Sequence, residues 1–199
     1  MGPPFMLGGM LSKFTITGLT LRGHLDAFKA VDAPRTIYTK YGLGRVGPSG
    51  EFEFHETCAV DKLAMAENEL CALIGPQKAF EMGVAGMKYA VSPPGVTDIV
   101  TAMQMFDAVY HLNHMEDGVP MFDPETGTMR DGIGHYRCLS TSRHRAVMEV
   151  DVPYPCDFDR GIMQAWARRF ERTALVTHLE PSVCRKHGSS RCRYEVSWR

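Results

Sequence analysis

The chain has 199 residues, 44% apolar and 23% charged, with a net charge of −1. That length suits one domain able to bury a sizeable core, and the composition excludes a disordered or fibrous chain. The near-neutral balance supplies no global basic field for nucleic acid, and no apolar run is long enough to span a membrane.

The opening residues, MGPPFMLGGM, lack a cationic start and an uninterrupted apolar stretch, which argues against an export signal. The expected compartment is therefore the reducing cytoplasm, where six cysteines favour metal over disulfide. Residues 14–21 alternate Phe14, Ile16, Leu19 and Leu21, the pattern of a broken strand. Residues 23–30 read as a short helix and 35–41 as a strand. Gly42, Gly44 and Gly47 match GxGxxG, but Pro48-Ser49-Gly50 follows where a dinucleotide fold needs a helix N-terminus. A hairpin loop ahead of Phe52 and Phe54 is the expectation. Residues 1–60 are thus expected to be an N-terminal extension of strands and loops, a candidate dimerisation segment, before a ligand-binding domain over 61–199.

Residues 60–73 have helical spacing, and Gly75-Pro76 starts a second helix with Phe80, Val84, Met87 and Val91 on one face. A third helix over 97–114, capped by Thr97, places Val100, Met103, Phe106, Ala108 and Tyr110 on its apolar side. A polar loop over 116–131 leads to strands at 132–140 and 146–152, joined by Ser142-Arg143-His144-Arg145. A helix over 157–170 turns Ile162, Ala165 and Trp166 inward, and strands at 174–180 and 192–198 close the chain. This order predicts an α+β domain with an antiparallel sheet packed with helices.

Two groups of residues carry candidate chemistry. Phe80, Met87, Met103, Phe106, Tyr110 and Trp166, with His114 and His135, are candidates for a small-molecule pocket, since thioethers adapt to ligand shape. Apolar side chains at helical spacing serve a solid core equally well. His111 and His114 lie three residues apart and, with Glu116, Asp117 and His135, are alternatively a second metal or acid–base site, or simply a polar helix end.

The second group is Cys156, Cys184 and Cys192. Seven residues including Gly188 separate the last pair, enough for a turn that brings both thiols together, and Cys156 precedes a predicted helix whose dipole favours thiolate. His178 or Glu180 completes a Cys3His or Cys3Glu set, so a structural zinc ion is expected here. Inert core cysteines, a disulfide pair or a redox switch are the alternatives, but Arg185, Lys186, Arg191 and Arg193 are unusual neighbours for core thiols. Those cations, with Arg160, Arg168, Arg169 and Arg172, make the C-terminal segment locally basic.

From Cys156 and Gly161 through Cys184-Arg185-Lys186-His187-Gly188-Ser189-Ser190-Arg191-Cys192 into an alternating strand, the segment resembles the four-vinyl-reductase-like domain family. It is similar also to the N-terminal sensor domains of aromatic-responsive bacterial transcription activators. The resemblance implies the ligand-binding fold of nitric-oxide-signalling and Golgi-transport proteins, commonly dimeric, with zinc on the three cysteines beside an apolar effector pocket. The family's acidic ligand falls where this chain has Pro181, so His178 or Glu180 must substitute.

The expected function is accordingly a cytoplasmic, homodimeric sensor or carrier of an apolar or aromatic ligand, signalling through a partner protein. An enzyme of the tetrapyrrole-reductase type, or a haem-based gas sensor using His111, His114 or His135, is the alternative.

Overall fold

The computed structural model describes residues 11–28 and 32–199. Residues 1–10, read above for an export signal, and 29–31, which end the expected 23–30 helix and precede the 35–41 strand, lie outside the described residues. The chain forms β1 (Phe14–Thr17), α1 (Gly18–Asp26), α2 (Ala33–Lys40), β2 (Gly44–Val46), β3 (Phe52–Phe54) and β4 (Thr57–Ala59). It continues through α3 (Val60–Gly86), α4 (Ile99–Gln104), α5 (Phe106–Leu112), β5 (His114–Glu116) and β6 (Val119–Pro120). β7 (Tyr136–Ser142), β8 (Arg145–Val150), α6 (Cys156–Ala167), β9 (Leu175–His178) and β10 (Cys192–Ser197) follow.

The fold is α+β with antiparallel sheets, as the element order predicts. One four-stranded sheet runs β4-β1-β5-β6, a second runs β7-β8-β10-β9, and β2 and β3 form a separate hairpin. The hairpin is what the glycine-rich loop builds, with no helix after it to hold a phosphate. In the second sheet Ala146, Met148 and Val150 of β8 and Tyr194 and Val196 of β10 are buried on the period of two that a strand requires. Helices α4 and α5 lie against β7, and α6 lies against β9 and β10.

Four local readings need correction. The strand expected over 14–21 ends at Thr17, whose hydroxyl accepts from Thr20 N at 3.4 Å and caps α1, leaving Leu19 exposed. The strand expected over 35–41 is helix α2. Its β-branched residues favour strand locally, but Pro34 opens the helix and Pro34, Ile37 and Tyr38 are buried at helical spacing. The expected helix over 97–114 breaks at Met105, and Asp98, not Thr97, caps it by accepting from Val100 N and Thr101 N at 2.9 and 3.0 Å. It ends before His114 because β1 claims that residue as a strand partner, pairing Ile16 with His114. The expected loop over 116–131 contains β6, which folds back on β5 through Asp117 and Gly118, both with positive φ.

The Gly75-Pro76 junction does restart a helix: Gly75 leaves the helical region at φ 79° and ψ 171°, and Pro76 opens the second half. That half buries Ala79, Met82, Gly83 and Gly86, whereas Val84 and Val91 of the expected face are exposed. The reason is the crossing with α6, where a Cβ on Gly83 would sit 2.1 Å from the Phe158 carbonyl oxygen and one on Gly161 2.1 Å from that of Phe80. The two helix backbones touch, so the glycine face must point inward. Among the described residues no helix is long and apolar enough to cross a membrane.

Candidate ligand cavity and thiol cluster

Helices α1, α3, α5 and α6 and strand β1 line a cavity that is partly open to solvent, with about 540 Å³ of empty space when the solvent at its mouth is counted. Its apolar wall includes Ile16, Leu21, Leu63, Met87, Phe106, Val109 and Phe158. Tyr110, Tyr136, Tyr154, His114, Thr20, Asn113, His24 and Glu67 supply the polar atoms.

Most of those polar atoms already have partners inside the protein. Tyr110 donates its hydroxyl to Ile133 O at 2.8 Å, and Tyr136 donates to Asp159 Oδ1 at 2.6 Å. His114 joins Tyr110 O through Nδ1 at 2.7 Å and the Tyr154 hydroxyl through Nε2 at 2.8 Å. Burial pushes its pKa down to about 4, so the ring is neutral at pH 7. Thr20 pairs with the Thr17 hydroxyl at 2.8 Å, and the Asn113 amide binds Val91 and Val109.

His24 and Glu67 are different. Glu67 has 0% exposure and His24 has 5%, and Nδ1 of His24 lies 2.7 Å from Glu67 Oε1. The approach is off the line of a good hydrogen bond, so Nδ1 and both Glu67 oxygens have no aligned partner. Glu67 sits on the buried stripe of α3 that also holds Val60, Leu63, Ala64 and Leu70. A carboxylate at a core position of an amphipathic helix is thus the sequence signal for this site, and His24 repeats it on α1, three residues after buried Leu21.

A buried link connects the cavity to the cysteines. Asp159, also with 0% exposure, accepts from Tyr136 on one oxygen and from the Arg185 guanidinium on the other. Burial pushes the Asp159 carboxyl up to about 7, against the pull of Arg185 and Tyr136. Arg185 also donates from its backbone N to Cys192 Sγ at 3.4 Å.

Cys156 opens α6, Cys184 precedes a short 3-10 turn, and Cys192 begins β10. Their sulfurs are 3.3, 3.3 and 3.6 Å apart, all three are buried, and all are free thiols. The Cys156 thiol donating to it, with Arg185 and His178 alongside, pulls the Cys192 thiol well below its ordinary range, while the Cys156 thiol is pushed up. Both ring nitrogens of His178 are buried without partners, whereas Glu180 is exposed. The surrounding cations are mostly matched: Lys186 pairs with Asp157, and Arg191 and Arg193 pair with Glu149.

A second cluster joins Asp107, His111 and His135. Asp107 accepts from His135 Nδ1 at 2.8 Å and from Tyr136 N at 2.9 Å, and its carbonyl meets His111 Nδ1 at 2.8 Å. Burial pushes the Asp107 carboxyl up, but these hydrogen bonds outweigh it and hold the group below its ordinary value. The web ties the start of β7 to α5.

Of the residues expected in a pocket, Met87, Phe106, Tyr110 and His114 are on the cavity wall. Met103 and Trp166 lie in the core behind it, Trp166 stacked on Phe106 at 6.1 Å. Phe80 and His135 are away from the wall, Phe80 beneath the Arg160 guanidinium and His135 in the Asp107 web. Cys156, Cys184 and Cys192 come together as their sequence context predicts, whereas His178, expected as their fourth partner, stays outside that group.

No family model matches the chain, and no curated protein does. Solved structures do. An H-NOX protein from S. oneidensis, in the Fe(II)NO ligation state, superposes with a TM-score of 0.58 at 11% identity, covering 92% of this chain and 99% of that one. A structure titled as probing the function of heme distortion in the H-NOX family gives 0.57 at 16% identity over 98% and 95% of the two chains. An oxygen-binding H-NOX domain related to soluble guanylate cyclases gives 0.55 at 15% identity over 92% of both. The chain shares the fold of these H-NOX structures.

Proposed function

We propose that the chain is a sensor or carrier domain that holds a small apolar or aromatic molecule in this cavity, braced by a structural zinc ion. The cavity carries the reading. It is lined by aliphatic and aromatic side chains with a few polar groups, the kind of wall that ordinary ligand sites present. Zinc rests on the donor set: a tetrahedral ion with Zn–S of about 2.3 Å sets its sulfurs ~3.8 Å apart, and the three here already stand 3.3–3.6 Å apart. His178 is the proposed fourth ligand, a half-buried imidazole with both nitrogens unengaged that has to move toward the three sulfurs to complete the set.

A ligand that displaces Tyr136 acts on Asp159, and through Arg185 on the loop that carries Cys184. Ligand occupancy and the packing of the C-terminal corner are therefore linked, and a ligand that prefers one packing shifts the population toward it. Dimerisation and output through a partner protein complete the proposal by resemblance. Elemental analysis should find one zinc per chain, and toluene should raise the melting temperature. Absence of zinc after reconstitution refutes the metal, and an unmoved melting temperature refutes the apolar cavity site.

A second reading, which the solved structures with this fold support better, is haem. His24 is the wall imidazole suited to hold iron, because a carboxylate lies behind its Nδ1 as commonly found behind metal-ligating histidines. His114 has both ring nitrogens engaged, and His111 and His135 are off the wall. Haem would supply reversible binding of a diatomic gas at its iron. Among the described residues the wall offers no lysine or arginine to meet a porphyrin's carboxylates, which favours a small apolar ligand over haem on chemistry alone, whereas the solved structures with this fold favour haem. A Soret band in freshly purified protein decides for haem, and no band after incubation with haemin decides against it.

A further inference from the structure

The polar inventory of the cavity narrows the chemistry of its ligand. Tyrosine, threonine and asparagine groups on the wall are satisfied by the protein itself, and so are both nitrogens of His114. What remains is Glu67, fully buried on the wall, with two oxygens that no aligned donor meets. A carboxylate only accepts hydrogen bonds, so the missing partner must donate. A buried carboxyl group whose oxygens lack aligned donors is costly in an apolar surround, and a charged donor relieves that cost best.

His24 beside Oε1 does not complete the site, because it approaches off-axis and leaves Oε2 untouched. The neighbouring walls bring Phe106, Tyr110, Tyr136, Tyr154 and Phe158, whose ring faces attract cations as well as aromatic bodies. No lysine or arginine among the described wall residues competes for Glu67. We propose that the cavity takes a small organic amine, its apolar or aromatic body against these rings and its ammonium group donating to Glu67. The proposal rests on the cavity being the ligand site.

Calorimetric titration of the whole protein as purified with benzylamine, benzyl alcohol, toluene and benzoate tests it. Benzylamine should bind at least roughly tenfold tighter than benzyl alcohol or toluene, and benzoate weakest, as expected for a charge-assisted hydrogen bond. Glu67→Gln, checked for native circular dichroism, should remove about that tenfold preference of benzylamine over toluene. The wild-type series decides the matter even if the variant does not fold. Toluene or benzyl alcohol binding as tightly as benzylamine overturns the amine proposal and leaves the apolar cavity reading standing. Binding of none of the four overturns both, as does haem filling the cavity.

Discussion

The cavity and the thiol cluster bury polar groups for different ends, and Asp159 and Arg185 lie between them. At the cluster three sulfurs come from three separate elements, α6, the loop after β9 and β10, and converge within 3.6 Å. No one of them is explained by its local sequence partner, which is the arrangement a metal ion imposes or exploits. Along the cavity polarity is instead neutralised locally: each tyrosine hydroxyl has a protein acceptor or donor, so the wall offers rings, not hydroxyls. Unmatched buried side-chain atoms occur at both regions, on Glu67 and His24 at the cavity and on His178 and Arg185 near the cluster, and also on His111 and Arg160 outside them. Buried polar atoms are ordinarily satisfied, so the exceptions point to where something else binds.

The contrast can be broken most forcefully at the sulfurs. Cys184→Ser or Cys192→Ser should lower metal stoichiometry and cost several kcal/mol of stability, because structural zinc binding is folding free energy. Unchanged metal content by elemental analysis in either variant removes that cysteine from the ligand set.

The link between the regions comes next. Arg185→Ala leaves the Asp159 carboxyl buried opposite no cation, and chemical denaturation should show a loss of about 3–5 kcal/mol at pH 8, above the Asp159 pKa of about 7. A loss under about 1 kcal/mol would mean the pair does not support the corner.

On the cavity side, His114 sharpens the comparison through pH. Its folded pKa is depressed to about 4 from 6.5, so its contribution is complete above about pH 6.5 and is lost as pH falls through about 4. The expected loss is on the order of 3 kcal/mol across that window. His114→Gln should flatten the part of the stability profile that this residue sets, and an identical slope in both proteins would show that the imidazole is not held neutral.

The smallest effect concerns the scaffold that both regions share. Gly83→Ala forces a Cβ to within 2.1 Å of Phe158 O, and the helices must part. A cost of about 1–3 kcal/mol is expected from such overpacking, read as a lower melting temperature. A neutral result would show that α3 and α6 can separate freely.

Much of the second half of the fold is written locally. The paired strands around Ser142–Arg145, the helix after Pro155 and the restart at Gly75-Pro76 each follow from hydrophobic period and turn chemistry. The cysteine corner was legible because Arg185, Lys186, Arg191 and Arg193 make poor company for core thiols. The cavity was legible only in part. Met87, Phe106, Tyr110 and His114 reach it, but their apolar spacing does not distinguish a wall from the core that holds Met103 and Trp166. Residues 35–41 misled because β-branched side chains favour a strand until packing against α3 makes them a helix.

The amino-acid order alone therefore determined the α+β class, the antiparallel pairing and the thiol group, since each depends on period, turns or the company that residues keep along the chain. Tertiary structure decided which face of α3 turns inward and where β1 cuts the helix before His114. It also decided that Glu67 and His24, 43 positions apart in the numbering, share one wall. Contacts of that kind arise from helices crossing at a fixed distance, and no local pattern of residues encodes the crossing.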